Sequence, residues 1–360
     1  DGDLDISVNH FSFSSSSALI MQGGNIRSLD SGSTILLPST FINNDTTIDS
    51  NFVINGSLTL ANGVFSLPDH ISGRVSGNLV SMGGGMVVNS GSTMSIDGST
   101  NTTSGLITLA NESVLEVQNK VVFTDVSTDF SRGMLRFVGD ATLLFDAVLR
   151  TEILDITSNV DVVLLASNLE LATNGFSLLT GASLNLGNGT LRLGSRGRTL
   201  NLLIQGTITG SSEAKTLIQG SGGTILGQGQ LANLVLDLDT EMSEMILESE
   251  IFSFNQSIKF QFGILTVRSQ SLNFIATESF LLTIPIRNNK LISNFSFSQV
   301  TNVNQDSTPI SLILRGALSA FLSYDSLLEL GPLSNLDISV PDAFNSPPVF
   351  GMVTDVPITL

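Results

Sequence analysis

Apolar residues in this chain recur at every second position in short bursts, and Gly, Asn and Ser break the bursts every few residues. The run Leu58-Thr59-Leu60-Ala61-Asn62-Gly63-Val64-Phe65-Ser66-Leu67 shows the form: alternating apolar positions, a turn, then alternation again. Period-two alternation marks a strand with one buried face, and Asn-Gly supplies the positive φ that a sharp corner needs. The same pattern returns without a gap at Leu184-Asn185-Leu186-Gly187-Asn188-Gly189-Thr190-Leu191-Arg192-Leu193. It recurs from Leu169 to Leu178 with the Asn-Gly moved by one, and from Ile107 to Val117 with one insertion, where Asn111-Glu112 stands at the corner.

A second signature opens many of these bursts, a Gly followed by small polar residues and then alternating apolar ones. It occurs at Gly32-Ser33-Thr34-Ile35, Gly56-Ser57-Leu58-Thr59-Leu60, Gly91-Ser92-Thr93-Met94-Ser95-Ile96 and Gly181-Ala182-Ser183-Leu184-Asn185-Leu186. Several separations lie near one or three times about 23 residues, a length that suits one coil of a solenoid. The pattern therefore predicts an all-β fold, mainly a right-handed parallel β-helix (β-solenoid) over residues 1–284. The competing arrangement is an antiparallel β-sandwich. There Asn-Gly closes a hairpin, with Leu60 opposite Phe65 and Leu58 opposite Leu67.

Gly-Ser-x-Leu-x-Leu units of this type resemble the passenger domains of autotransporters and filamentous haemagglutinin-like adhesins, over the first two-thirds of the chain. The resemblance implies a solenoid fold and an adhesive role outside the cell.

Proline changes the picture near residue 285. Pro285, Pro309, Pro332, Pro341, Pro347, Pro348 and Pro357 crowd the last stretch, whereas only Pro38 and Pro68 precede them. Proline has no N–H for a continuous ladder, so residues 285–360 read as a separate unit of mixed strands, a cap or assembly module. Two segments, Thr240 to Phe252 and Gly316 to Leu330, carry apolar residues three or four apart and are expected to form short helices.

Composition narrows the function. Charged residues make up 13% of the chain, about half the usual share. A net charge of -17 disfavours nucleic acid and anionic membranes as partners. Cysteine is absent, which suits an exported protein that crosses a membrane unfolded without forming disulfides. No secretory leader pattern opens the residues from Asp1, so export implies a leader removed or lying outside this sequence. No apolar run reaches the roughly 18 residues of a transmembrane helix.

Candidate chemistry is sparse. His10 and His70 have no neighbouring His or Cys at ligand spacing, which disfavours zinc. Gln219-Gly220-Ser221-Gly222-Gly223 lacks the first glycine of a nucleophile elbow, and the glycine-rich run from Gly220 to Gly229 meets no phosphate-loop pattern. Asp237, Asp239 and Glu241 alternate, with Asp155 and Asp161 as further members, as a carboxylate ladder of a β-helix polysaccharide lyase or hydrolase would. Against that, the chain holds no Trp and one Tyr, so it offers few amphipathic aromatic faces for sugar. Asp1, Asp3 and Asp5, and the run Asn43-Asn44-Asp45, are the oxygen-rich candidates for a calcium-dependent module. Arg192, Arg196 and Arg198 form a basic cluster placed to meet an acidic patch on a neighbouring subunit.

The reading that results is a non-enzymatic structural or adhesive protein, secreted or on the cell surface, with no cofactor. It is expected to assemble end to end into a homo-oligomer or filament and to present a surface to a host or cell-surface ligand. The assembly residues are Leu4, Ile6, Val8, Phe11 and Phe13 at one end, and Phe350, Met352, Ile358 and Leu360 at the other. Strands at solenoid ends present unpaired backbone groups to which another strand adds.

Overall fold

The computed structural model describes residues 4–6, 17–29, 32–124, 126–164, 170–240 and 242–275, and beyond them a series of short strands ending with Asn335–Ser339. Side chains are described as far as Leu265. Among the described residues every regular element is a strand. The chain divides into two compact units, Asp1–Thr173 and Asn174–Leu360.

The first unit is a parallel β-solenoid with three short strands to a coil. Val64–Leu67, Ser72–Val75 and Leu79–Met82 form one coil. Each pairs in parallel with a strand 21 residues on: Val64 beside Gly85, Ser72 beside Thr93, Leu79 beside Thr100. Sequence spacing had placed the coil near this length. The antiparallel sandwich is overturned by the same register. Leu60 lies beside Ile42 and Ser81, and Phe65 beside Thr46 and Met86, all in parallel ladders. Asn62-Gly63 turns a corner between two sheets and closes no hairpin.

Alternation then dictates the core. Along the second sheet the inward column runs Ile35, Phe52, Gly73, Met94, Leu115, Leu135 and Leu154. Its apolar members are 0–1% exposed. Each buried side chain of this kind contributes roughly 1.5–3 kcal/mol, and stacking like on like repeats the gain with every coil.

The corners are stacked as closely as the strands. Ala61 donates its N–H to the Ile42 carbonyl at 2.9 Å, and Gly85 donates to that of Gly63 at 2.8 Å. Gly63 has a φ of 69°. In the equivalent corner at Asn111-Glu112 the positive angle falls on a side-chain-bearing residue, with Glu112 at 59° and exposed. Left-handed backbone costs such a residue about 1–2 kcal/mol. Glu112→Gly should raise stability by about 0.5–1 kcal/mol after the added freedom of the unfolded chain is subtracted. An unchanged or lowered unfolding midpoint would count against this account. In the copy at residues 184–193 the positive φ belongs to Gly187, at 56°, and not to Gly189. The Asn-Gly pair there is one corner position later than at Gly63.

The second unit repeats the plan with longer steps. Ser183 lies beside Thr207, Thr190 beside Lys215 and Thr199 beside Gly222, separations of 24, 25 and 23 residues. The expected helix from Thr240 to Phe252 is not formed. Glu244–Phe262 is one long strand, with Glu244 beside Gly222. Met245, Leu247, Phe252, Phe254 and Ile258 are fully buried, and the acidic residues Glu244, Glu248 and Glu250 are exposed. Period two outweighed the coincidental three-residue spacings because an extended neighbour was already in place to pair with it. Most of the second expected helix, residues 316–326, lies outside the described residues, and Leu327–Glu329 within it is a strand. Past residue 285, Ser311–Arg315 and Asn335–Ser339 remain in parallel ladders, whereas Ile286–Arg287 and Lys290–Leu291 form an antiparallel pair.

Candidate functional site

Of the expected assembly residues, Leu4 and Ile6 are described. They lie in the strand Leu4–Ile6, which pairs in parallel with Gly24–Ser28, Leu4 beside Ile26 and Ile6 beside Ser28. Among the described residues this strand is paired along one edge. Asp5, between them, accepts from Arg27 Nε at 2.6 Å. That hydrogen bond, with the guanidinium charge, holds the Asp5 carboxyl below its ordinary range. Val8, Phe11, Phe13, Phe350, Met352, Ile358 and Leu360 lie outside the described residues, as do His10, Asp1 and Asp3.

Charged side chains elsewhere are drawn into ladders across coils. On the second sheet of the first unit Arg74, Ser95, Glu116, Arg136 and Asp155 stack in successive coils on the outward face. Arg136 Nε donates to Asp155 at 2.8 Å and Nη1 to Glu116 at 3.1 Å, and Ser95 Oγ donates to the other Glu116 oxygen at 2.6 Å. Partial burial opposes the Arg136 charge, yet its bonds to Asp155 and Glu116 outweigh that and raise its pKa. Asp155 is therefore spent on a structural pair. Asp161 lies beside Thr142 on the third sheet, so the two aspartates do not join one ladder.

Asp140, at a corner, accepts from the Ser158 hydroxyl and from the Asn159 amides, and these bonds hold its carboxyl low. A Ser131 hydroxyl and backbone N–H do the same for Asp129. A depressed carboxylate stabilises the fold above its unfolded pKa, about 3.9 for Asp, and the contribution is lost as pH falls through the lower folded value. Stability should accordingly drop below about pH 4, and Asp140→Asn should flatten that acid limb in urea titrations. An acid limb of unchanged slope would refute the assignment.

In the second unit the alternating carboxylates meet the basic cluster of their own unit. Arg196 Nη2 donates to Asp237 at 3.1 Å, and Gln219 Nε2 donates to the same oxygen at 2.8 Å. The Gly197 N–H donates to Asp239 at 2.7 Å, with Arg196 Nη1 3.7 Å from its other oxygen. Asp237 is 8% exposed. One guanidinium thus clamps two carboxylates that sequence spacing offered as a lyase pair. Nothing in the sequence ties Arg196 to Asp237, since 41 residues separate them. Glu241 lies outside the described residues.

The oxygen-rich run Asn43-Asn44-Asp45 is likewise occupied. Asn43 Nδ2 donates to Gln22 Oε1 at 2.9 Å, Asn62 Nδ2 donates to Asn43 Oδ1 at 3.1 Å, and Asp45 Oδ1 accepts the Val64 N–H at 2.8 Å. These atoms join three consecutive corners. No group of three or more His, Asp or Glu at metal-binding separation occurs among the described residues. His70 turns a corner at a φ of 60° and donates its N–H to Ser90. A shallow depression of about 510 Å³ on the second unit is lined by Gln205, Gln228, Glu248 and Glu250 among others. Gln228 Nε2 is already bonded to Glu250 there, at 2.8 Å.

Among the described residues no helix is long and apolar enough to cross a membrane. Compared with known families, characterised proteins and solved structures, the chain matches none.

Proposed function

We propose that this chain is a structural or adhesive protein of the extracellular surface, secreted or cell-attached, that assembles end to end through its terminal strands and acts without catalysis. The observation that carries the reading is where the charged groups are spent. Arg136, Arg196, Asp155, Asp237 and Asp239 tie coil to coil, so side chains that a cleft enzyme would hold ready for substrate are committed to the stack. Scarcity of charge and absence of Cys support export. The strand Leu4–Ile6, paired along one edge among the described residues, offers its other edge to an incoming strand. A head-to-tail contact of this kind does not close on itself, and it generates filaments.

Electron microscopy of purified protein at rising concentration tests the proposal. Particles should lengthen, and removal of residues 1–13, or separately 350–360, should stop growth. Single units at every concentration would overturn the assembly. Reproducible cleavage of an acidic polysaccharide, abolished by Asp237→Ala, would overturn the non-catalytic reading.

A further inference from the structure

The third sheet of the first unit differs from the second on its outward face. Its central outward row begins at Ile20 and Phe41 and ends at Leu144 and Val163, one residue per coil in continuous parallel register. Six of its eight members are apolar; the other two are Thr59 and Asn101. Ile20 is 61% exposed and Val163 44%, and Phe41, Val80, Val122 and Leu144 are half-buried. The matching row of the second sheet carries the Arg136 ladder instead. A contiguous exposed apolar stripe on an otherwise polar solenoid marks an interaction surface.

We infer that this face binds a second copy of the chain, face to face, about a two-fold axis parallel to the strands. The axis passes between the coils of Val80 and Asn101, so the two first units run antiparallel. The row is self-complementary under that operation, as an isologous contact requires. Ile20 then faces Val163 of the other copy, Phe41 faces Leu144, Thr59 faces Val122, and Val80 faces Asn101. The flanking rows oppose no like charges. Lys120, two residues before Val122, meets Ser57, and Asp161 meets Ala18. Asp146, on the other flank, meets Asn43.

Eight coils at about 4.8 Å and five strand residues at about 3.3 Å give on the order of 600 Å² per copy. The pair buries roughly 1,200 Å², the lower end of specific interfaces. Each copy carries a charge of -17, so the two repel at low salt and added salt strengthens the contact by screening. This lateral contact involves neither terminus and stands apart from the end-to-end assembly proposed above.

The absence of cysteine makes the test direct. Val80→Cys lies beside the axis and should cross-link to a covalent dimer with a short bismaleimide. Val53→Cys, outward on the second sheet, should not. In sedimentation at high salt the wild type should pass from monomer to dimer as concentration rises. Val122→Lys combined with Leu144→Lys should weaken the dimer about tenfold or more, a change of some 1.4 kcal/mol, whereas Val53→Lys should leave it intact. Circular dichroism checks that these outward substitutions keep the fold. A chain that stays monomeric, cross-linking through Val53→Cys but not Val80→Cys, or a dimer indifferent to the paired lysines would each overturn the inference. End-to-end filaments alone would leave Val80→Cys uncross-linked.

Discussion

Gly63→Ala is expected to destabilise the first unit by about 3 kcal/mol, the sum of two effects that reinforce each other. At a φ of 69° an alanine pays about 1 kcal/mol or more for left-handed backbone. Its Cβ would also lie 2.5 Å from the Asn44 carbonyl carbon and the Asp45 nitrogen. Those atoms are backbone of the adjacent corner, which is bonded to this one through the Val64 N–H and Asp45 Oδ1. Relief requires the stacked corners to part, and overpacking of this sort costs typically 1–3 kcal/mol. Gly181→Ala is the internal control. Gly181 has a φ of 80° and nothing within 4 Å of an added Cβ, so only the backbone cost, about 1 kcal/mol, should remain. Equal losses for the two substitutions in chemical denaturation would refute the close-stacked corner.

Gly73→Val should cost a similar amount for a different reason. Gly73 lies directly beside Phe52 in the inward column of the second sheet. An added Cβ would come within 2.3 Å of the Phe52 ring, which is 1% exposed and packs edge-on against Phe65 at 5.9 Å between centroids. The column is thus a volume exchange, in which one coil donates a large ring and the next withdraws its side chain. Phe52→Ala alone should lose about 3–5 kcal/mol by leaving a cavity. Phe52→Leu with Gly73→Ala moves bulk from one coil to the other and should recover much of either single loss, so the double-mutant cycle should show strong favourable coupling. Additive losses in that cycle would show that the two residues do not share one space.

These two sites show which parts of the molecule local pattern controls. Alternation at Leu58, Leu60, Phe65 and Leu67 sorts inward from outward positions before any neighbour is known, because a pleated strand has a period of two whatever it pairs with. Asn62-Gly63 likewise announces a corner, since few other residues accept its dihedral. Whether Leu60 pairs with Phe65 across a hairpin, or with Ile42 and Ser81 in neighbouring coils, is a matter of tertiary packing. An Asn-Gly corner serves both arrangements, and the choice falls to the number of coils that can bury their apolar faces on one another. At Glu244–Phe262 the same packing overrode apolar spacings that fitted a helix.

The outward face depended on tertiary structure most of all. Coil length decides which outward residues become neighbours, and it varies from 17 residues between Ile35 and Phe52 to 25 between Thr190 and Lys215. One residue added to a coil would have set Arg136 beside a buried leucine position and left Glu116 and Asp155 without their counter-charge. Alternation and the Gly-Ser openings thus determined that this chain is all strand, solenoid-like and turned at glycine corners. Only the accumulated register decided that Arg196 clamps Asp237 and Asp239, that the charges fall on the second sheet, and that an apolar row is left facing outward on the third. The physical reason is that burial acts on each strand by itself, whereas an outward contact exists only once two coils of particular length have been stacked.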